Sequence, residues 1–186
     1  MRQLFQISAM SFFTVFLGLY AVNAEVPQCL IGYCAGDHFS NDGGDFSVFE
    51  QRSSDCGSWT TYQAETDNRS QYIRTGGPEN TIYKISDVNY VASANSLPNH
   101  AAWDQALKER YGQPEHELSR PSRSEWRWRA PDDRILTVEI HFSDVMLSFD
   151  KFPDQHRINR TVYDYGLEGG IHVDERSCVE QRLFSD

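Results

Sequence analysis

The chain has 186 residues, 17 basic and 27 acidic, which give a formal charge of −10. This acidic balance argues against nucleic acid or an anionic membrane surface as a partner and permits a basic protein partner. No internal repeat, low-complexity run or long linker divides the sequence, so residues 25–186 are predicted to form a single domain.

Residues 1–24 have the features of a secretory signal peptide. Arg2 supplies a basic start, residues 12–22 form an apolar run, and Ala24 ends a small-residue cleavage site. The apolar run is too short to suggest a membrane span, so none is expected after the signal is removed. Removal takes away one basic residue and no acidic one, which changes the formal charge from −10 to −11. The sequence thus predicts a secreted or periplasmic protein.

Four cysteines follow the predicted signal peptide. An even number in an exported chain predicts two disulfides, for which three connectivities are possible. We favour Cys29 with Cys34, and Cys56 with Cys178. A zinc site at Cys29, Cys34 and His38 is less favoured, because the spacing is not C-x-x-C and no second cysteine pair follows. No metal or cofactor site is predicted.

The first half of the domain is predicted to be β-rich. Residues 37–45 are rich in Gly, Asp and Asn, but their order does not match a calcium-binding loop, so Gly43 and Gly44 are predicted to form a turn. Four aromatic and β-branched segments then predict strands at residues 46–51, 58–64, 72–75 and 81–91. None alternates cleanly, so their order in a sheet is not predicted.

Residues 99–114 predict a short amphipathic helix. Asn99 can cap its start, Trp103 and Leu107 fall on one face, and Gly112 with Pro114 favours its end. This is the main helix of the predicted domain.

Three segments that alternate with period two follow the helix, at residues 125–130, 134–142 and 145–149. A three-residue loop at 131–133 places Trp126 opposite Val138 and Trp128 opposite Leu136, whereas a two-residue loop would place a charged side chain in the apolar layer. A two-residue turn at 143–144 would pair Ile140 with Leu147. These segments predict an antiparallel meander.

The register assigns a face to each side chain of this meander. The apolar inner face is predicted to contain Trp126, Trp128, Leu136, Val138, Ile140, Phe142, Val145, Leu147 and Phe149. The outer face carries Arg127, Arg129, Glu139 and His141, which we select as a candidate protein-binding face. Residues 151–160 are polar and predict a surface loop, and residues 161–165 and 170–173 predict a further hairpin. The fold class predicted is α+β, with a meander packed against one main helix and two disulfides.

One stretch resembles a known group of proteins. A helix that ends in residues 110–114, Arg-Tyr-Gly-Gln-Pro, and is followed by a strand with Trp126 and Trp128 and by a meander, resembles small bacterial envelope proteins of the β-lactamase-inhibitor-protein and SmpA/BamE-like kind. The match covers about a quarter of the chain. Those domains have two helices before the sheet, and BamE-like proteins carry a lipid-anchoring Cys that this chain lacks. The resemblance implies protein binding in the envelope.

Three classes of function remain. A protein-binding module, such as an inhibitor or an immunity-type protein, needs a stable scaffold and a decorated face, which the sequence offers. A structural or assembly component of the cell envelope would have the same features. A small secreted hydrolase would need an acid–base pair such as Glu139 and His141, but no nucleophile elbow or H-E-x-x-H motif is present. The first class is favoured, and no catalytic residue is assigned.

Overall fold

The computed structural model describes residues 26–54, 57–142 and 155–170, and its main feature is one eight-stranded antiparallel sheet. The predicted α+β class is therefore wrong, since these residues are mostly strand, and their longest helix has 12 residues. The strands are β1 (Cys29–Leu30), β2 (Tyr33–Cys34), β3 (Ser47–Ser54), β4 (Gly57–Thr66), β5 (Arg69–Gly76), β6 (Thr81–Ala92), β7 (His116–Ser119), β8 (Arg123–Arg129), β9 (Arg134–His141) and β10 (Gln155–Asp164), and the helix is α1 (His100–Tyr111).

The large sheet consists of two four-stranded halves joined at its centre. The strand order is β3-β4-β5-β6-β10-β9-β8-β7, so β3–β6 form one meander and β7–β10 the other. The last strands of the two halves, β6 and β10, pair antiparallel, with Ile85 opposite Val162. The N-terminal segments and α1 pack on the same face of this sheet.

The predicted helix is confirmed together with both of its ends. The Asn99 side chain accepts a hydrogen bond from the amide of Ala102 at 3.1 Å, which satisfies one of the free amides of the first turn. Gly112 ends the helix with φ +74°, a conformation that glycine adopts without steric cost, and its amide donates to Lys108. Leu107 is the buried residue of the helix and contacts the core.

The predicted register of the first hairpin is confirmed, but the predicted pairing of a third strand, 145–149, with residues 134–142 is wrong. Trp126 lies opposite Val138, and Trp128 lies opposite Leu136. The other edge of β9 is occupied by β10, which places Ile140 opposite Ile158 rather than Leu147. Residues 143–154, which include the predicted strand 145–149, lie outside the described residues.

The polar segment predicted to be a loop is a central strand. Residues 155–160 belong to β10, and the strand continues to Asp164. The hairpin predicted at 161–165 and 170–173 is also wrong, because residues 165–170 are helical. The predicted signal peptide, residues 1–24, lies outside the described residues.

A disulfide closes the small N-terminal hairpin. Cys29 and Cys34 are bonded across β1 and β2, and the two turn residues, Ile31 and Gly32, both have positive φ, as a type I′ turn requires. The bond excludes these two sulfurs as zinc ligands. Two disulfides were predicted and the described residues contain this one; Cys56 and Cys178 lie outside them.

The core lies between the sheet and the segments that cover its inner face. Trp126, Leu136 and Ile140 are fully buried there, as predicted from their alternation. Helix α1 covers this half through Leu107, whereas the N-terminal segment covers the other half through aromatic contacts, such as Phe39 against Tyr62 at 4.4 Å. Burial of each large apolar side chain contributes about 1.5–3 kcal/mol, so this layer dominates the stability of the fold.

Candidate functional site

The second face of the sheet is polar, and we call the side chains it carries on β3–β6 and β8–β10 the polar face. Its positions on β8 and β9 are fixed by the pairs Arg123 with His141 and Glu125 with Glu139. Strand β10 continues the face, since Arg157 lies opposite His141. All four residues of the predicted binding face therefore belong to one surface.

Five of these side chains form a charge cluster, which we define as Arg123, Glu125, Arg127, Glu139 and His141. Arg123 Nη2 lies between the two carboxylates, 2.7 Å from Glu125 Oε2 and 3.1 Å from Glu139 Oε2. Arg127 Nη2 contacts the other oxygen of Glu125 at 3.2 Å. His141 Nε2 contacts Glu139 Oε1. The cluster thus places two like charges directly opposite each other and bridges them with an arginine, which offsets their repulsion.

The environment of Glu139 favours its charged form. The hydrogen bond from His141 lowers the pKa of Glu139, against the effect of burial, and the charges of His141 and Arg123 add to this shift. A carboxylate held ionised in this way acts as an acceptor of hydrogen bonds. The Glu139 carboxylate is therefore better suited to accepting hydrogen bonds than to acting as a general acid.

Arg129 stands apart from the charge cluster. It forms two ion pairs of 3.2 Å, with Glu115 and Asp133, at the end of the β8–β9 hairpin. Its side chain is 44% exposed and that of Arg127 is 40% exposed, so both guanidinium groups reach solvent. The four predicted residues are therefore adjacent on one face but belong to two separate ion-pair groups.

A groove on the other half of the polar face was not predicted from the sequence. It has a volume of about 190 Å³ and is lined by Phe49, Thr61, Tyr72, Arg74, Lys84 and Ser86. The lining residues come from β3, β4, β5 and β6. Two of them, Tyr72 and Arg74, are two residues apart on a strand whose alternation is broken by a register shift after Arg74. The spacing of Tyr72 and Arg74 indicates that both side chains lie on the same face of the sheet. Which face that is cannot be assigned from the sequence without the strand order.

The groove brings two cations together. Arg74 and Lys84 lie directly opposite each other on β5 and β6. Burial lowers the pKa of Lys84, and the charge of Arg74 lowers it further, whereas the charge of Glu168 acts in the opposite direction. Within the described residues Lys84 forms no ion pair, although its ammonium group lies 5.8 Å from the centre of the Tyr163 ring. The groove is therefore locally basic in an acidic chain.

Comparison with known proteins gives no relative. No protein-family model matches the chain, and no curated protein or solved structure matches it.

A third polar group links α1 to β7. His100, Asp104 and Glu117 offer ligand atoms within 4.8 Å of one another, close enough to bind one divalent cation. The Lys108 ammonium group already lies 2.7 Å from Asp104 and 3.1 Å from Glu117, and these hydrogen bonds raise the pKa of Lys108. Because both carboxylates are neutralised in this way, the group is a structural connection between helix and sheet.

A buried carboxylate lies on the inner face at the junction of the two halves. Asp87, which is fully buried, contacts Arg69 at 2.6 Å and also contacts Arg160. Burial alone would raise the pKa of Asp87, but hydrogen bonds from Arg69, Arg160 and Asn89 overcome this effect and lower it. The sequence does not reveal this group, because its members lie on three strands whose pairing it does not predict.

The turn predicted at Gly43 and Gly44 is confirmed. Asn41 folds back on the loop, where its amide oxygen accepts from the backbone of Phe46 at 3.1 Å, so this segment is a turn as predicted. Within the described residues, no helix is both long and apolar enough to cross a membrane. The Cys29–Cys34 disulfide is consistent with an oxidising compartment outside the cytoplasm.

Proposed function

We propose that this protein is an exported, non-enzymatic binding module that recognises another protein in the periplasm or outside the cell, as an inhibitor or immunity-type protein does. The observation that carries the proposal is the polar face, where Arg127, Arg129, Glu139 and His141 are held at fixed positions on neighbouring strands. A rigid strand scaffold lowers the conformational entropy lost on binding.

The type of side chain on this face also supports binding. Arginine and aromatic residues supply most of the energy at protein interfaces, and the face combines the half-exposed Arg127 and Arg129 with Phe49, which is 61% exposed. The fixed donors and acceptors would give orientation and specificity. The acidic charge of the chain as a whole would speed encounter with a basic partner.

The same geometry favours binding over hydrolysis. Glu139 and His141 contact each other, and Glu139 is further engaged by Arg123. The groove described above is lined by other residues. A general base needs free access to a substrate proton, and both oxygens of Glu139 are already engaged, Oε1 by His141 and Oε2 by Arg123.

The proposal is tested by partner capture with matched variants. Residues 25–186, oxidised and tagged, would be incubated at moderate salt with the envelope and secreted fractions of the source organism, and retained proteins would be identified by mass spectrometry. The test variant replaces both Arg127 and Arg129 with Ala. The control, Arg110→Ala, removes an arginine of α1, where Arg110 lies over the ring of Tyr111.

One stoichiometric partner should be retained by the unaltered protein and by the control, and lost or strongly reduced with the double variant. Its own activity, measured with and without this protein, would distinguish an inhibitor from an assembly component. Circular dichroism would establish that both variants are folded. Equal capture of the partner by the double variant and the control would then show that Arg127 and Arg129 do not contribute to binding.

A further inference from the structure

We infer that the groove on β3–β6 is a subsite for one carboxylate side chain, Asp or Glu, of the protein partner. This inference rests on the proposed function, because it names a chemical feature of the same partner. The groove lies on the polar face, in the half of the sheet formed by β3–β6, whereas the predicted binding residues lie in the half formed by β7–β10. The two regions are thus parts of one continuous surface.

One cation of the groove, Arg74, is held in place before any ligand arrives. Arg74 Nε donates to Thr61 Oγ1 at 2.9 Å, and its guanidinium carbon lies 4.8 Å from the centre of the Trp59 ring. A more distant ion pair of 3.7 Å joins it to Glu50, whose side chain is 55% exposed. These contacts fix the plane of the guanidinium group and leave further donors for a carboxylate.

The neighbouring cation, Lys84, lacks an ion pair among the described residues. Lys84 lies opposite Arg74, and like charges directly opposite each other destabilise a sheet. Ser86 and Thr61 add hydroxyl groups at the same groove. A carboxylate between the two cations would remove their repulsion and accept hydrogen bonds from both. Such a carboxylate would add to the negative charge that Glu50 places near Arg74 and Glu168 near Lys84.

The size of the groove suits a single side chain. Pockets for drug-sized ligands usually have volumes of about 300–1,000 Å³. The volume of about 190 Å³ falls below this range and is suited to a single side chain. The rings of Phe49 and Tyr72, whose centres are 5.8 Å apart, provide apolar walls for the methylene groups of that side chain. An acidic residue that projects from a protein surface has this combination of a short apolar stem and a charged end.

The subsite is tested first without any partner. The chain contains three lysines, Lys84, Lys108 and Lys151. In protein labelled with ¹³C-lysine, N-acetylglutamate amide would be titrated at constant ionic strength, and the side-chain signals would be followed by NMR. N-acetylglutamine amide is the matched neutral probe. The Lys84 signal, assigned by its loss in Lys84→Met, should shift along a saturable curve with the glutamate probe alone, while the other two lysines provide internal controls.

Two results would overturn the subsite. One is an equal Lys84 shift with the glutamine probe or with sodium chloride at the same ionic strength, since the groove would then not select a carboxylate. The other is the absence of a Lys84 shift when the signal is resolved and the protein is folded. Either result leaves the proposed binding function intact, because that function is tested by Arg127 and Arg129.

The second arm asks whether the carboxylate belongs to the protein partner. Affinity for the purified partner should fall about tenfold or more in Lys84→Met, which removes the charge and keeps the side-chain length, and should be largely kept in Lys84→Arg. The contrary result is that Lys84→Met binds the partner with unchanged affinity while the Arg127 and Arg129 double variant loses binding. That result would show that the partner does not supply the carboxylate. If no partner is captured at all, the proposed function fails, and a positive probe titration would then assign the groove to a free carboxylate ligand instead.

Discussion

Replacement of Asp87 by Asn should strongly destabilise the fold. The Asp87 side chain is 0% exposed, whereas its two partners, Arg69 and Arg160, are 39% and 33% exposed. Breaking a buried ion pair by removing one partner typically costs about 3–5 kcal/mol. Because both arginines reach solvent and can regain some hydration, we expect the lower end of that range, about 3 kcal/mol.

The loss is measured by urea unfolding of the unaltered protein and the variant near neutral pH. Asp133→Asn is the matched control, since Asp133 is 65% exposed and pairs with Arg129 at the surface, where an ion pair contributes about 0–1 kcal/mol. A loss below about 1 kcal/mol for Asp87→Asn would refute the view that this buried group stabilises the junction of the two halves.

The effect of Asp87 should also depend on pH in a defined direction. The pKa of Asp87 is lowered in the folded state, so its contribution is fully present above the pKa of the unfolded chain, about 3.9, and is lost as the pH falls through the folded value. The difference in unfolding free energy between the unaltered protein and Asp87→Asn should therefore shrink in acid. A difference that grew on acidification would contradict this sign.

Three further changes have expected outcomes. Asn99→Ala removes the cap of α1 and should cost about 1 kcal/mol in urea unfolding, with Asn99→Ser losing much less; equal losses would mean that the side-chain cap contributes little. Lys84→Met should raise the unfolding free energy by about 0.5 kcal/mol, because it removes a half-buried charge opposite Arg74; a loss of stability would contradict the repulsion inferred there. Replacement of Cys29 and Cys34 by Ser should cost on the order of 2 kcal/mol for so short a loop, and a thermal melt that does not shift would exclude a stabilising role for the bond.

The features predicted correctly depend on short-range rules. Asn99 and Gly112 flank α1 directly, and these two cap residues are enough to locate both of its ends. The hairpin of β8 and β9 has a three-residue loop, so the match of Trp126 with Val138 follows from the need to keep charge out of the apolar layer. In both cases the partners lie close in sequence, and few alternatives had to be compared.

The features missed depend on partners that are distant in sequence. Strand β10 reads as polar because Arg160 occupies the inner face, where an apolar residue would normally complete the alternation. Its charge is compensated by Asp87, which lies 73 residues earlier. Without that partner the segment has the composition of a loop. The groove was missed for the same reason, since Arg74 and Lys84 are brought together by pairing of strands whose order the sequence did not reveal.

The same misreading explains the wrong fold class. The sequence contains a helix with clear caps and one cleanly alternating meander, a combination that favours a helix packed on a sheet. The four strands before the helix alternate irregularly, so the sequence does not predict their order. The structure places those strands beside the predicted hairpin in one sheet. The predicted face of Arg127, Arg129, Glu139 and His141 follows from the hairpin register alone, and so its position does not depend on the class.

The central position of β10 has a consequence for how the chain folds during synthesis. Until residues 155–164 emerge, β6 and β9 each have an unpaired edge, which can pair with another chain. The pairing of β6 with β10 also joins residues about 70 positions apart, and contacts of such long range slow folding. We therefore expect that chains truncated before residue 155 aggregate, and that the intact chain needs protection of these edges before the two halves join.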